Sequence, residues 1–257
     1  MSQEPIDVSI DWVRSLFQSP TTPDTLGLFL HYEVRKLIGF GASGIVLEAF
    51  DKTLRRVVAI KFLWPRLADD ATARERFLRE ARAAAAVLHE NVVSVYAVND
   101  RPISYMVMEH VAGETLQNRL DRLGSLPTGD VVHIGRQIAA GLAAAHAQGL
   151  IHRDLNPANI LLSSVPAPST ANNQKNVFGD VAKIADFGLA RAAEDENLTQ
   201  DGVIVGTPLY LAPEQAQAGQ IDHRADLFSL GCVLVHPVCR PTSVCRLDDT
   251  GGFEARV

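Results

Sequence analysis

Three glycines in Gly39-Phe40-Gly41-Ala42-Ser43-Gly44 separate two short apolar segments, Val34 to Ile38 and Ile45 to Phe50. The same spacing opens dinucleotide-binding folds, but there the third glycine starts a helix. Here Gly44 runs straight into Ile45-Val46-Leu47, a turn at Asp51-Lys52 and a third apolar segment, Val57 to Leu63. The glycines therefore sit in a hairpin, and three closely spaced strands imply an antiparallel meander. A glycine hairpin can lie flat on a polyphosphate because no Cβ holds its amides away. Alone, it is also compatible with a merely flexible turn.

The next constraint is Lys61, which closes the apolar run Val57-Val58-Ala59-Ile60. A lysine in a buried strand needs a partner for its ammonium group. The segment from Asp70 to His89 is predicted as a helix, with Phe77, Ala81, Ala84 and Leu88 as its buried stripe. Glu80 follows Phe77 by three residues and precedes Ala84 by four, so its carboxylate leaves the helix on or beside that stripe. It is the natural partner of Lys61. The alternative is that Lys61 snorkels at a strand end and Glu80 is one surface charge among Arg74, Arg76, Arg79 and Arg82.

Further along, Asn91 to Val98 and Ile103 to Glu109 read as strands. Leu126 to Gln148 reads as a long helix with Val131, Ile134, Ile138, Leu142 and Ala145 on one face. Ser163 to Asp180 is polar and reads as a loop inserted between strands, and Leu227 to Val235 is a compact apolar run. Residues 1–30 read as an irregular or partly helical extension with one apolar patch, Trp12 to Phe17. Strands crowd the first third and helices the rest, which predicts two packed lobes of the α+β class.

Composition excludes several other functions. The formal net charge is −6, which argues against a nucleic-acid or anionic-membrane binder. No apolar run reaches the about 18 residues of a spanning helix. The start, with Glu4, Asp7, Asp11 and no basic residue, does not resemble a signal peptide. Cys232, Cys239 and Cys245 match no zinc spacing and cannot form a disulfide framework. A cytoplasmic protein is the expectation.

Two further stretches carry chemistry: His152-Arg153-Asp154-Leu155-Asn156-Pro157-Ala158-Asn159 and Asp186-Phe187-Gly188. Two carboxylates and an amide on loops beside apolar segments suit a hard cation such as Mg²⁺, which takes oxygen ligands and a substrate's phosphates. With these residues on the page, the sequence resembles the protein-kinase family, in the bacterial Ser/Thr branch related to eukaryotic kinases. The glycine motif is Gly39 to Val46, and Val-Ala-Ile-Lys is Val58 to Lys61. The helix glutamate is Glu80, and Ala-Pro-Glu is Ala212-Pro213-Glu214. The motifs arrive in order, from about His31 to about Leu234.

The resemblance implies the bilobal protein-kinase fold, α+β, with a small antiparallel-sheet N-lobe at 31–111 and a mainly helical, truncated C-lobe at 112–235. It implies an ATP-dependent serine/threonine kinase that uses Mg²⁺ and acts on a protein substrate with a Ser/Thr acceptor, with no nucleic-acid partner. In that frame Gly39, Gly41 and Gly44 cover the phosphates, and Lys61, held by Glu80, contacts them. Met108, Glu109 and Val111 line the hinge that receives adenine, with Ile38, Val46 and Ala59 above the ring. Asp154 positions the hydroxyl and accepts its proton, while Asn159 and Asp186 hold Mg²⁺. Asp226 and Gly231 resemble the start of the helix that anchors the catalytic loop. Gly206 to Tyr210 resembles the docking segment of Ser/Thr rather than Tyr kinases, and Glu214 with Gly206-Thr207 argues against a small-molecule kinase. Arg153 implies regulation by a phosphate, for which Thr199 is the candidate acceptor.

The sequence departs from the family pattern twice. Asn156 stands where these kinases carry a lysine that neutralises the transferring phosphoryl group, and an amide cannot supply that charge. After Val235 the pattern stops, and residues 236–257 show no helical period. Codons that permit Val235 to Val257 also permit YTLCAGRPPFAASTTLAVLKRV in the next frame, so a shifted reading frame is the expectation for this tail. The two departures leave a second reading, a catalytically weak nucleotide-binding pseudokinase or scaffold.

Overall fold

The computed structural model describes residues 12–20, 23, 25–164, 180–187, 208–216, 221–235, 246–247 and 253–254. The chain divides into two compact units. The described residues of the first are 12–86, with the gaps given, and 94–110; those of the second are 87–93 and everything described from 111 onward.

The first unit is built on a six-stranded antiparallel sheet in the order β1-β2-β3-β4-β6-β5. The strands are β1 (Gly27–Phe29), β2 (Tyr32–Gly41), β3 (Gly44–Asp51), β4 (Arg56–Leu63), β5 (Val95–Asn99) and β6 (Tyr105–Glu109). Residues directly opposite each other in an antiparallel pair project to the same face. Register therefore sorts the sheet into two sides. Ile45, Leu47, Ala49, Val58, Ile60, Phe62, Tyr105 and Val107 share a buried core with Phe29 and Val34. Val46, Lys61 and Met106 lie opposite one another on the other side, as do Glu48, Ala59 and Met108.

The segment read as an irregular or partly helical extension belongs to this core. Residues 12–14 form one helical turn, Val13 is fully buried, and Trp12, Leu16 and Phe17 pack against the cluster. Gln18 bridges to Leu28 on β1. Consequently the boundary expected at residue 30 falls inside the β1–β2 hairpin.

Among the described residues the first unit also contains the helices α1 (Pro65–Ala68) and α2 (Ala71–Ala85). Asp70 caps α2, its Oδ1 accepting from the backbone N–H groups of Thr72 at 2.8 Å and Ala73 at 3.4 Å. Phe77, Ala81 and Ala84 are buried as expected, but the helix ends at Ala85, and Leu88 is 84% exposed. Val87 takes the buried position instead. The predicted strand from Asn91 is also shorter. Asn91 to Val93 leave the sheet to meet Ile184: Val93 N–H donates to the Ile184 carbonyl, and Ile184 N–H to that of Asn91, both at 2.9 Å.

The second unit contains the sheet β7 (Gly113–Thr115), β8 (Ile160–Ser164) and β9 (Asp180–Ile184) and the helices α3 (Leu116–Leu123), α4 (Thr128–Ala147), α5 (Pro213–Ala216) and α6 (Arg224–Val235). On α4 the whole predicted stripe, Val131, Ile134, Ile138, Leu142 and Ala145, is buried. The short strands β10 (Arg246–Leu247) and β11 (Phe253–Glu254) pair with each other. Most of the 236–257 tail and residues 165–179 of the predicted loop lie outside the described residues. Among the described residues no helix is long and apolar enough to cross a membrane.

Candidate active site

In the second unit the β8–β9 register does the positioning. Ile160 pairs with Ile184, so the residues just outside the ladder, Asn159 and Ala185-Asp186, are adjacent. Ala185 N–H donates to the Asn159 carbonyl at 2.9 Å. Asn156 precedes the 3-10 turn Pro157–Asn159 and caps it, its Oδ1 accepting from Ala158 N–H at 2.9 Å.

Both amides then turn on Asp154. Asn156 Nδ2 donates to Asp154 Oδ1 at 2.9 Å, and Asn159 Nδ2 donates to Oδ2 at 3.0 Å. Each also donates to the Asp154 carbonyl, at 3.2 and 2.8 Å. One carboxylate is thus held at both oxygens by neutral donors, which fixes its plane without cancelling its charge. The amide oxygen of Asn159 takes no part in these bonds. With the Asp186 carboxylate it makes an oxygen donor set that suits a hard divalent cation.

The loop beneath is locked by Asp226 at the start of α6, which is completely buried. Its Oδ1 accepts from Arg153 N–H at 2.8 Å, and its Oδ2 from His152 N–H at 2.8 Å. His146 Nε2 lies 2.7 Å from the same Oδ2. His152 links the stretch 152–159 to the stretch that begins at Asp186: its Nε2 lies 2.9 Å from the Ala185 carbonyl, and its Nδ1 accepts from Asp154 N–H at 3.2 Å. That pairing puts the ring proton on Nε2. Its ring also packs on Phe187 with centroids 4.7 Å apart. Arg153 and Asp186 have φ of 68° and 60°, left-handed values that persist only where surroundings impose them. Ahead of α6, Asp222 accepts from Arg224, whose side-chain hydrogen bonds lower the carboxyl to about 2.

In the first unit Gly39 pairs with Val46, Val46 with Lys61, and Lys61 with Met106, one row across four strands. Lys61 is 4% exposed and Glu80 on α2 is 8% exposed, and neither lacks an interaction partner. Ala59 and Met108 are opposite one another and buried, whereas Ile38 is largely exposed. Glu109 pairs with Ser94: Ser94 N–H donates to Glu109 Oε2 at 3.3 Å, and Glu109 N–H donates to the Ser94 carbonyl at 2.8 Å. Val111 belongs to the second unit.

The protein kinase domain model matches residues 32–254. The chain belongs to the protein kinase family. The matched span of this kinase sequence runs past Val235, where the motif pattern stops. PknB of Mycobacterium leprae, a serine/threonine-protein kinase, is 39% identical over 220 residues, covering 83% of this chain and 33% of that protein. The chain spans about a third of the length of such curated kinase relatives. The PknI kinase domain of Mycobacterium tuberculosis is similar in structure, with a TM-score of 0.62 at 29% identity over 82% of this chain and 75% of that one. Rad53 1–466, solved in complex with AMP-PNP, gives 0.60 at 26% identity, over 80% and 48%. The architecture is therefore the α+β protein-kinase fold, with an antiparallel-sheet unit and a mainly helical one.

Motif reading missed several residues that hold this kinase site. Asn91 Nδ2 donates to the Ala182 carbonyl at 2.9 Å and to Gln137 Oε1 at 3.0 Å, fixing β9 just before Asp186. Gln215 Nε2 donates to the Arg153 carbonyl at 2.7 Å. Gln215 directly follows Glu214, and that adjacency was the one signal available. Gly188, Thr199, Gly206 and Thr207 lie outside the described residues.

Proposed function

We propose that this chain transfers the γ-phosphoryl group of ATP to a serine or threonine hydroxyl of a protein substrate, with Mg²⁺ as the metal. The observation that carries the reading is the Asp154 carboxylate, clasped at both oxygens by Asn156 and Asn159 beside Asp186. A carboxylate held in one plane can orient an incoming hydroxyl and take its proton as the oxygen attacks phosphorus and the bond to the β-phosphate oxygen breaks. Asn159 and Asp186 would hold Mg²⁺, which neutralises charge on the phosphates when bound. Lys61, buried on the sheet, would contact the α- and β-phosphates with Glu80 as its partner, and Gly39, Gly41 and Gly44 would cover them. Ile38, Val46, Ala59, Met108, Glu109 and Val111 would form the adenine site. The AMP-PNP bound to Rad53 supports a nucleotide of this class.

The test is phosphate transfer by the purified chain from γ-labelled ATP, to itself and to a generic Ser/Thr acceptor protein. Asp154→Asn should remove transfer yet keep Mg-ATP binding, and Lys61→Met should abolish transfer with the fold nearly intact. A wild-type chain that binds nucleotide but labels no hydroxyl would overturn the catalytic reading, and equal activity in either variant would overturn that residue's role.

A further inference from the structure

The tip of the glycine turn is held from one side by a segment that no kinase motif includes. Trp64 ends the run after β4 and precedes Pro65, the first residue of α1. A residue before proline is restricted to extended backbone, and Trp64 has φ −58° and ψ 144°. From that fixed position Trp64 Nε1–H donates to the Gly41 carbonyl at 2.7 Å, and its backbone N–H donates to the Ser43 carbonyl at 3.2 Å. Arg66, two residues on, donates from Nη2 to the Ala42 carbonyl at 3.3 Å. Three consecutive carbonyls at the tip are thereby drawn to one side.

The consequence follows from peptide geometry. In a trans peptide the C=O and the following N–H point in opposite directions. Fixing the carbonyls of Gly41 and Ala42 toward Trp64 and Arg66 sends the N–H groups of Ala42 and Ser43 the other way. A set of backbone N–H groups aimed together is an anion site, while carbonyls aimed at a phosphate would repel it. The Trp64 clasp therefore decides which pole of these peptides an anion meets.

Trp64 is itself braced. Its ring lies against Trp12, with centroids 6.0 Å apart and planes at 46°. Trp12 is anchored by its neighbour Val13, fully buried among Phe29, Phe62 and Ile60. The brace comes from the segment ahead of β1, which places part of the N-terminal extension in line with the phosphate-covering turn.

We propose that Trp64 is a positioning residue for nucleotide phosphates, orienting the glycine turn through its indole N–H, with Trp12 as its support. This rests on the ATP-binding reading above. It assigns to residues 12–14 and 64–66 a role in phosphate affinity and not in adenine recognition.

The experiment uses the full chain and two probes, Mg-AMP-PNP and adenosine, with affinities measured by calorimetry. Trp64→Phe keeps an aromatic ring against Trp12 and deletes the N–H donor. It should weaken Mg-AMP-PNP about three- to tenfold, the worth of one hydrogen bond, and leave adenosine unchanged. In transfer assays KM for ATP should rise by the same factor while kcat holds. Trp12 and Trp64 are the only tryptophans, so in Trp12→Phe all tryptophan emission comes from Trp64. That emission should change on adding Mg-AMP-PNP and stay constant with adenosine, which needs no Trp64 variant to fold. Wild-type protein that binds neither probe defeats the nucleotide reading itself. Wild-type protein that binds both, with Trp64→Phe either matching it or weakening both probes equally, overturns the positioning role alone.

Discussion

Asn156 occupies two roles that a lysine at the same place could not combine. It caps the Pro157–Asn159 turn through Ala158 N–H and it holds one oxygen of Asp154. A lysine would surrender the cap, because an ammonium cannot accept from Ala158 N–H, and would place a positive charge near the transferring phosphoryl group. The magnitudes separate these effects. A lost cap costs about 1 kcal/mol of stability, whereas one donor placed for transition-state charge is worth about 10²–10³ in rate. Asn156→Lys is therefore expected to raise kcat by roughly tenfold or more while lowering the denaturation midpoint, and Asn156→Ala to lower both. Steady-state kinetics beside a urea titration would show it. An unchanged rate in Asn156→Lys means another cation already serves that charge.

At the scale of elements, the three glycines of one turn are not equivalent. A Cβ on Gly44 would lie 1.9 Å from the Phe62 carbonyl oxygen, so β3 and β4 close only because this residue has none. Gly41 has nothing within 4 Å of the same construction. Gly44→Ala should therefore destabilise the sheet unit by about 1–3 kcal/mol, the usual cost of overpacking, whereas Gly41→Ala should leave stability unchanged and act only on nucleotide affinity. Chemical denaturation of the two variants side by side tests this, and equal stabilities would refute it. The contrast also shows what a sequence discloses. The glycine spacing, Lys61, Asp154 and Asp186 are legible because each motif is local in the chain, and the α4 stripe because a long helix repeats its period several times. Periodicity carries the α2 stripe on to Leu88 because it does not mark where a helix stops. Strand β1 is too short to show a period at all, and helix α3 offers only Leu116, Leu120 and Leu123 at i, i+4 and i+7 over two turns. Asp226 on Arg153 joins residues 73 positions apart and is legible only through the family resemblance, whereas Asn91 on Ala182, 91 positions apart, is encoded by no local pattern.

For the whole molecule, a ligand that binds only the folded chain stabilises it by an amount set by its concentration over Kd, about 2.7 kcal/mol at a hundredfold excess. For a chain of this length that corresponds to a rise in Tm of roughly 5–10 °C, at about 2–4 °C per kcal/mol. If Asn159 and Asp186 hold Mg²⁺ against the phosphates, most of the rise seen with AMP-PNP should disappear when EDTA removes the metal. Asp186→Asn sharpens the test. Asp186 sits at φ 60°, a conformation that asparagine tolerates as readily as aspartate, so the loop should keep its shape while losing its charge. The variant is expected to match wild type without ligand and to show, with Mg-AMP-PNP, only the smaller rise that wild type shows in EDTA. Two compact units can melt in separate steps, so the shift should be read on each transition that appears. A rise that survives both EDTA and Asp186→Asn would mean that nucleotide binds this chain without its metal ligands, and the assignment of Asn159 and Asp186 would fall with it.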